Sequence, residues 1–107
     1  MTQVCKIAII GLGQVGNYLY RELNLKKKDI EIKSGKKIQI VAISAKNKNK
    51  KRKYKINKNI FYNDPIRIIK KIKPDILFEV IGQSDGISKK VVETALKNKI
   101  HVITPNK

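Results

Sequence analysis

The spacing of hydrophobic positions changes along the chain, and each change marks an element. Residues 2–10 hold Ile7, Ile9 and Ile10 in a nearly continuous apolar run, the pattern of a strand buried on both faces. From Gln14 the spacing lengthens: Val15, Leu19 and Leu23 recur at helical intervals, which predicts a helix from Gln14 to about Leu25. Residues 38–44 (I-Q-I-V-A-I-S), 75–81 (D-I-L-F-E-V-I) and 100–104 read as further strands. Asp64-Pro65 is a helix start, with Asp64 as N-cap and Pro65 in the first turn. Ile66, Ile69 and Ile72 mark the apolar side of that short helix, and Pro74 ends it. Ser84 or Asp85 would cap another helix running to about Asn98, with Ile87, Val91, Val92, Ala95 and Leu96 facing inward. Residues 26–37 are ambiguous. The Ile30/Ile32 alternation suits a strand, whereas the charges suit a surface helix that Gly35 ends. Ile60 to Tyr62 is a candidate short strand. Strands alternate with helices throughout, which predicts right-handed crossovers and an α/β fold with a doubly wound parallel sheet, in one domain spanning residues 1–107.

The junction of the first strand and first helix carries candidate chemistry. Gly11, Gly13 and Gly16 form G-x-G-x-x-G between an apolar strand and a helix, the context of a dinucleotide-binding turn, so the fold reads as Rossmann-like. Gly11 permits the tight turn, Gly13 lets backbone approach a pyrophosphate, and Gly16 lets the helix pack close to the sheet. The helix dipole favours the phosphates' negative charge. Ligands of open parallel sheets bind beyond the carboxyl ends of the strands. Residues 11–16, 44–48, 82–84 and 104–107 therefore share one expected crevice. An NAD site usually places a carboxylate after the second strand. This chain has Ser44-Ala45-Lys46-Asn47-Lys48 there, and Lys46 and Lys48 would instead neutralise a 2′-phosphate, so NADP is favoured over NAD. Gly82 would let backbone pass close to the cofactor. Lys107 follows the last strand in the layer of the nicotinamide ring, where an ammonium would hold a substrate oxygen or stabilise charge during hydride transfer. Glu79 lies inside a buried strand, needs a partner and reads as structural. His101 opens the last strand on the far side from the crevice and reads as neither catalytic nor metal-binding.

Charge changes this picture little. The chain has 25 Lys and Arg against 8 Asp and Glu, a formal net charge of +17. That invites a nucleic-acid reading. The charge is nearly all Lys, however, spread over helices and loops, densest over residues 46–58, and only 6% of residues are aromatic, so no stacking array accompanies it. A solvated surface is the expectation, with no nucleic-acid partner. No apolar run is long enough to span a membrane. Cys5 is the only cysteine, which excludes an internal disulfide and a cysteine-cluster metal site, points to a reducing cytoplasm, and would sit toward the core.

Four segments together carry a family resemblance: I-I-G-L-G-Q-V-G, V-A-I-S-A-K-N-K, D-I-L-F-E-V-I-G-Q-S-D-G and K-N-K-I-H-V-I-T-P-N-K. They resemble the N-terminal part of homoserine dehydrogenase across essentially the whole chain. The resemblance implies NAD(P)-dependent interconversion of aspartate semialdehyde and homoserine, a small-molecule substrate, and a place in threonine and methionine biosynthesis. It implies a helix over residues 26–35. It implies cofactor contacts from Leu12, Gln14 and Val15 beside the glycines, from Lys46 near the adenosine ribose, and from Lys107 by the nicotinamide and substrate; Thr104 joins the cofactor-binding set by its place in the expected crevice. Pro105 stands where the family usually has Ala. The family continues into a catalytic and dimerisation domain with the remaining acid and base groups and a monovalent-cation site. The expectation is therefore a cofactor-binding part of a larger, dimeric or higher-order enzyme, inactive alone. The alternative is a regulatory nucleotide-binding module without catalysis, which usually keeps an acidic residue after the second strand.

Overall fold

The computed structural model describes residues 3–81 and 86–105. Four parallel strands, β1 (Gln3–Ile10), β2 (Lys36–Ser44), β3 (Ile76–Glu79) and β4 (His101–Ile103), form one sheet in the order β2-β1-β3-β4. The chain leaves β1 toward one side of the sheet, returns, and continues on the other. β1 and β3 therefore flank the point where strand order reverses, the place where such sheets open a crevice.

The alternation of β1 divides the core. Ile7 and Ile9 point to one face, where they meet Ile38, Ile40, Ile43 and Tyr20. Ala8 and Ile10 point to the other, where they meet Ala42, Leu77, Ile68, Ile69, Val91 and Ala95. The pairing of β1 with β2 shifts register between Ile7 and Ala8, so Val41 is the extra residue of a bulge. The bulge reverses the facing of β2, and Ala42 and Ile43 thus serve the two faces in the opposite parity to Ile38 and Ile40. Cys5 is half-buried beside the first cluster. Burial, and then the negative charge of Asp75, push its thiol pKa up.

The ambiguous stretch is helical. Helix α1 (Gln14–Leu25) runs to Lys26, and α2 (Lys27–Ser34) follows, capped by Gly35 in the left-handed region at φ 73°. Ile32 is 81% exposed and Ile30 half-buried, so the Ile30/Ile32 alternation marks no strand face. An i,i+4 ion pair of Asp29 with Lys33 at 3.2 Å supports the helix instead. The buried side of α1 is Gly16, Asn17 and Tyr20, with Leu19 and Leu23 beside it, whereas Val15 is exposed.

Ile60–Tyr62 is a 3₁₀ turn over Lys58–Ile60 followed by a single bridge from Phe61 to Ile43. Asp64 caps α3 (Pro65–Arg67) by accepting from the Ile66 amide at 2.9 Å. The helix continues as a π-helical turn over Ile68–Ile72. Widening that turn buries the consecutive Ile68 and Ile69 and leaves Ile66 and Ile72 at the margin, unlike the regular 3.6-residue pattern. Helix α4 (Gly86–Lys97) buries Ser88, Val91 and Ala95. Ile87 and Leu96, expected inside, are exposed: a helix against one sheet face buries a single stripe, and they fall outside it. The Ser84 or Asp85 cap lies outside the described residues. No helix among the described residues is long and apolar enough to cross a membrane.

Candidate functional site

Gly11 leaves β1 at φ 104°, and its amide donates to the Ser44 carbonyl at 2.7 Å, closing the end of the β1–β2 pair. A Cβ on Gly11 would stand 2.7 Å from the Val80 carbonyl oxygen, so backbone conformation and close packing against the β3 end both require glycine. A Cβ on Gly16 would run into the Gly11 carbonyl, so Gly16 brings α1 hard against the turn. Gly13 differs. Its φ is −73°, open to any residue, and an added Cβ meets nothing within 4 Å. It is the N-cap of α1, yet no side chain caps the helix and no acidic residue occupies the first turn. The leading amides of α1 therefore face outward at the positive end of the helix dipole.

These groups border a cleft of about 810 Å³ beyond the carboxyl ends of β1, β2 and β3. Gly11, Leu12, Gly13, Gln14 and Val15 form one wall, Ser44, Ala45 and Lys46 the second, and Val80 and Ile81 the third. Lys50 and Arg52 reach in from the following loop, Ile87 from α4, and no carboxylate among the described residues lines the space. The cleft thus offers bare backbone amides, apolar side chains and three cations, a set suited to a long anionic ligand with flat rings.

The expected site residues are distributed as follows. Gly11, Leu12, Gly13, Gln14, Val15 and Lys46 line the cleft, and Gly16 lies buried behind it as a packing residue. Lys48 does not line it; its ammonium stands 6.0 Å over the Phe61 ring. Thr104 turns its hydroxyl to Glu79, donating at 2.7 Å. Glu79 is fully buried, and its other oxygen accepts from the Ile81 amide at 2.9 Å. The buried carboxylate therefore ties the end of β3 to the end of β4. His101 is exposed at the opening of β4, and its amide donates to the Asp75 carbonyl at the amino edge of the sheet, away from the cleft. Gly82 and Lys107 lie outside the described residues.

Sequence reading missed the residues that shape the loop after β2. The Arg52 guanidinium donates to four main-chain carbonyls: Asn47 at 2.7 Å, Lys50 at 3.1 Å, Leu12 at 3.2 Å and Lys48 at 3.4 Å. It folds the loop on itself and fastens it to the glycine turn. Asn17 is buried on α1 and pairs with both main-chain groups of Tyr54, at 2.9 and 3.1 Å. The Tyr20 hydroxyl accepts from the Asn57 amide at 2.9 Å, and its ring meets Tyr54 edge-on at 5.7 Å. A polar Asn on the inward side of an amphipathic helix, followed three residues later by Tyr, was the one local signal.

Comparison with known proteins places this geometry. The sequence profile described as "Homoserine dehydrogenase, NAD binding domain" matches residues 11–107. A homoserine dehydrogenase of Neisseria gonorrhoeae is 30% identical over 101 residues, covering 94% of this chain and 23% of the relative. One of Bacillus subtilis is 26% identical over 102 residues, covering 95% and 23%. The crystal structure of S. aureus homoserine dehydrogenase at pH 7.0 superposes with a TM-score of 0.88 at 34% identity, over all of this chain and 27% of that one. The Thiobacillus denitrificans structure, at 22% identity and a TM-score of 0.79, shares the fold. This chain spans about a quarter of the length of these relatives. The chain belongs to the NAD-binding domain family of homoserine dehydrogenases.

Proposed function

We propose that the chain is the cofactor-holding part of a homoserine dehydrogenase and that it takes NADPH in preference to NADH. The observation that carries this reading is Gly13. Its conformation and surroundings would accept a side chain, and a serine or aspartate there would cap α1. A pyrophosphate against the leading amides of the helix is the neighbour that makes a bare backbone necessary. In this reading Gly13 to Val15 hold the pyrophosphate, with Gly16 setting the approach of α1 behind them, and Leu12 and Val15 pack the flat parts of the dinucleotide. Lys46, with Lys50 near it, neutralises a 2′-phosphate beyond the end of β2, where no carboxylate stands to accept from a free ribose hydroxyl. Gly82 and Thr104 border the nicotinamide end. Lys107 steadies the substrate oxygen. The bound nicotinamide supplies or accepts the hydride.

The whole enzyme would interconvert L-aspartate 4-semialdehyde and L-homoserine for threonine and methionine synthesis in the cytoplasm, as a homodimer or larger. The acid and base groups would come from a second domain, so residues 1–107 alone bind cofactor without turnover. Titration of the 107-residue chain with each cofactor, followed by nicotinamide fluorescence, tests the reading. NADPH is expected to bind about tenfold more tightly than NADH, a difference that Lys46→Ala narrows. Tighter NADH binding would overturn the NADP preference, and saturable binding of neither would overturn the whole reading.

A further inference from the structure

Glu79 ends β3 with a fully buried side chain, and among the described residues no other acidic or basic side chain is buried. A carboxylate is costly to bury. Glutamine would bridge the same two groups, its carbonyl accepting from the Ile81 amide and its amide donating to the Thr104 oxygen. Joining the ends of β3 and β4 therefore does not by itself call for a charge.

The place of Glu79 supplies a reason for one. Its pairing with Ile10 is the last of the β1–β3 ladder, and the β3–β4 ladder ends at Phe78 with Ile103. Ile81 and Thr104, the two groups Glu79 holds, thus lie beyond both ladders at the carboxyl edge of the sheet, and Ile81 lines the cleft. The cleft's cations, Lys46, Lys50 and Arg52, all come from the loop after β2. A dinucleotide with its 2′-phosphate there and its pyrophosphate at the start of α1 carries its nicotinamide across β1, to the ends of β3 and β4. The oxidised ring bears a positive charge and the reduced ring none. A negative charge fixed in apolar surroundings beneath that end favours the oxidised ring. We propose, resting on the dinucleotide reading above, that Glu79 is a positioning residue that sets the nicotinamide end of the cleft through Ile81 and Thr104, and that its buried charge tilts binding toward the oxidised cofactor.

Calorimetric titration of the 107-residue chain with NADP⁺, NADPH and 2′,5′-ADP, which lacks a nicotinamide, tests the assignment. A chain that prefers NADH is titrated with NAD⁺, NADH and ADP instead. Glu79→Gln is expected to weaken NADP⁺ about tenfold relative to NADPH and to leave 2′,5′-ADP unchanged. Thr104→Val loosens the tie and keeps the charge, so it should weaken both redox forms several-fold and alike. A purely structural Glu79 would not move the ratio of the two forms. Thr104→Lys sets a cation against Glu79 and should lower that ratio as Glu79→Gln does, which serves if a urea melt shows Glu79→Gln unfolded. A parental NADP⁺-to-NADPH ratio in the folded charge-cancelling variant, or parental affinities in Thr104→Val, would overturn the role of Glu79 while 2′,5′-ADP still binds. No saturable binding of any of the three by the parent chain would overturn the dinucleotide reading and this role together.

Discussion

The glycine turn and the loop after β2 face the same crevice but are built in opposite ways. The turn is shaped by what it lacks. Gly11 and Gly16 bring β1, α1 and the end of β3 together so closely that any side chain collides. Its contacts are backbone on backbone, continuous with the core. The loop is shaped by a few side chains. Arg52, Asn17 and Tyr20 reach from one segment to another and hold main-chain groups that lie outside any ladder or helix. Damage to the turn should therefore act on the whole fold, whereas damage to the loop should stay local.

The largest effect is expected at Gly16. Gly16→Val forces a side chain into the Gly11 carbonyl and should cost roughly 3 kcal/mol or more, read as a lowered urea midpoint for the entire chain. A variant of wild-type stability would mean that α1 can back away from the turn. Asn17→Leu comes next. It strips both main-chain groups of Tyr54 of their partner and should cost about 2 kcal/mol, with amide exchange speeding up from residue 50 to 57 while β1 stays protected. Loss of protection throughout the sheet would erase the distinction between the two regions. Arg52→Ala should cost about 1 kcal/mol, because its bonds lie in partly wet surroundings, and should free the loop from the glycine turn. Cofactor affinity is then expected to drop several-fold while the chain loses only that modest stability and stays folded, which a fluorescence titration beside a melt separates.

The same contrast explains what was legible in the sequence. The turn announces itself locally: an apolar strand, three glycines and a helix lie within one short window, and each glycine's spacing follows from the geometry it serves. The parallel order of the sheet follows from alternating strands and helices. The loop could not be read that way, because its organising bonds join residues 37 to 40 positions apart, and Arg52 looks like any other cation in a lysine-rich run. The π-helical turn also broke the expected spacing, burying Ile68 rather than Ile66 and Ile72. Glu79 was visible as a carboxylate needing a partner, while Thr104 as that partner required the register of β3 with β4. Lys48 and Lys46 are equivalent in sequence, and only the path of the loop takes Lys48 to Phe61 and leaves Lys46 in the cleft.

Gly13→Ser separates fold from function most directly. The substitution offers α1 the side-chain cap it lacks and enters space that the protein leaves open. Stability should hold or rise by a few tenths of a kcal/mol, while NADPH affinity, measured by fluorescence titration on the same sample, should fall by about tenfold or more. A variant that binds NADPH as tightly as the parent chain would contradict the claim that a dinucleotide lies on bare backbone at this turn.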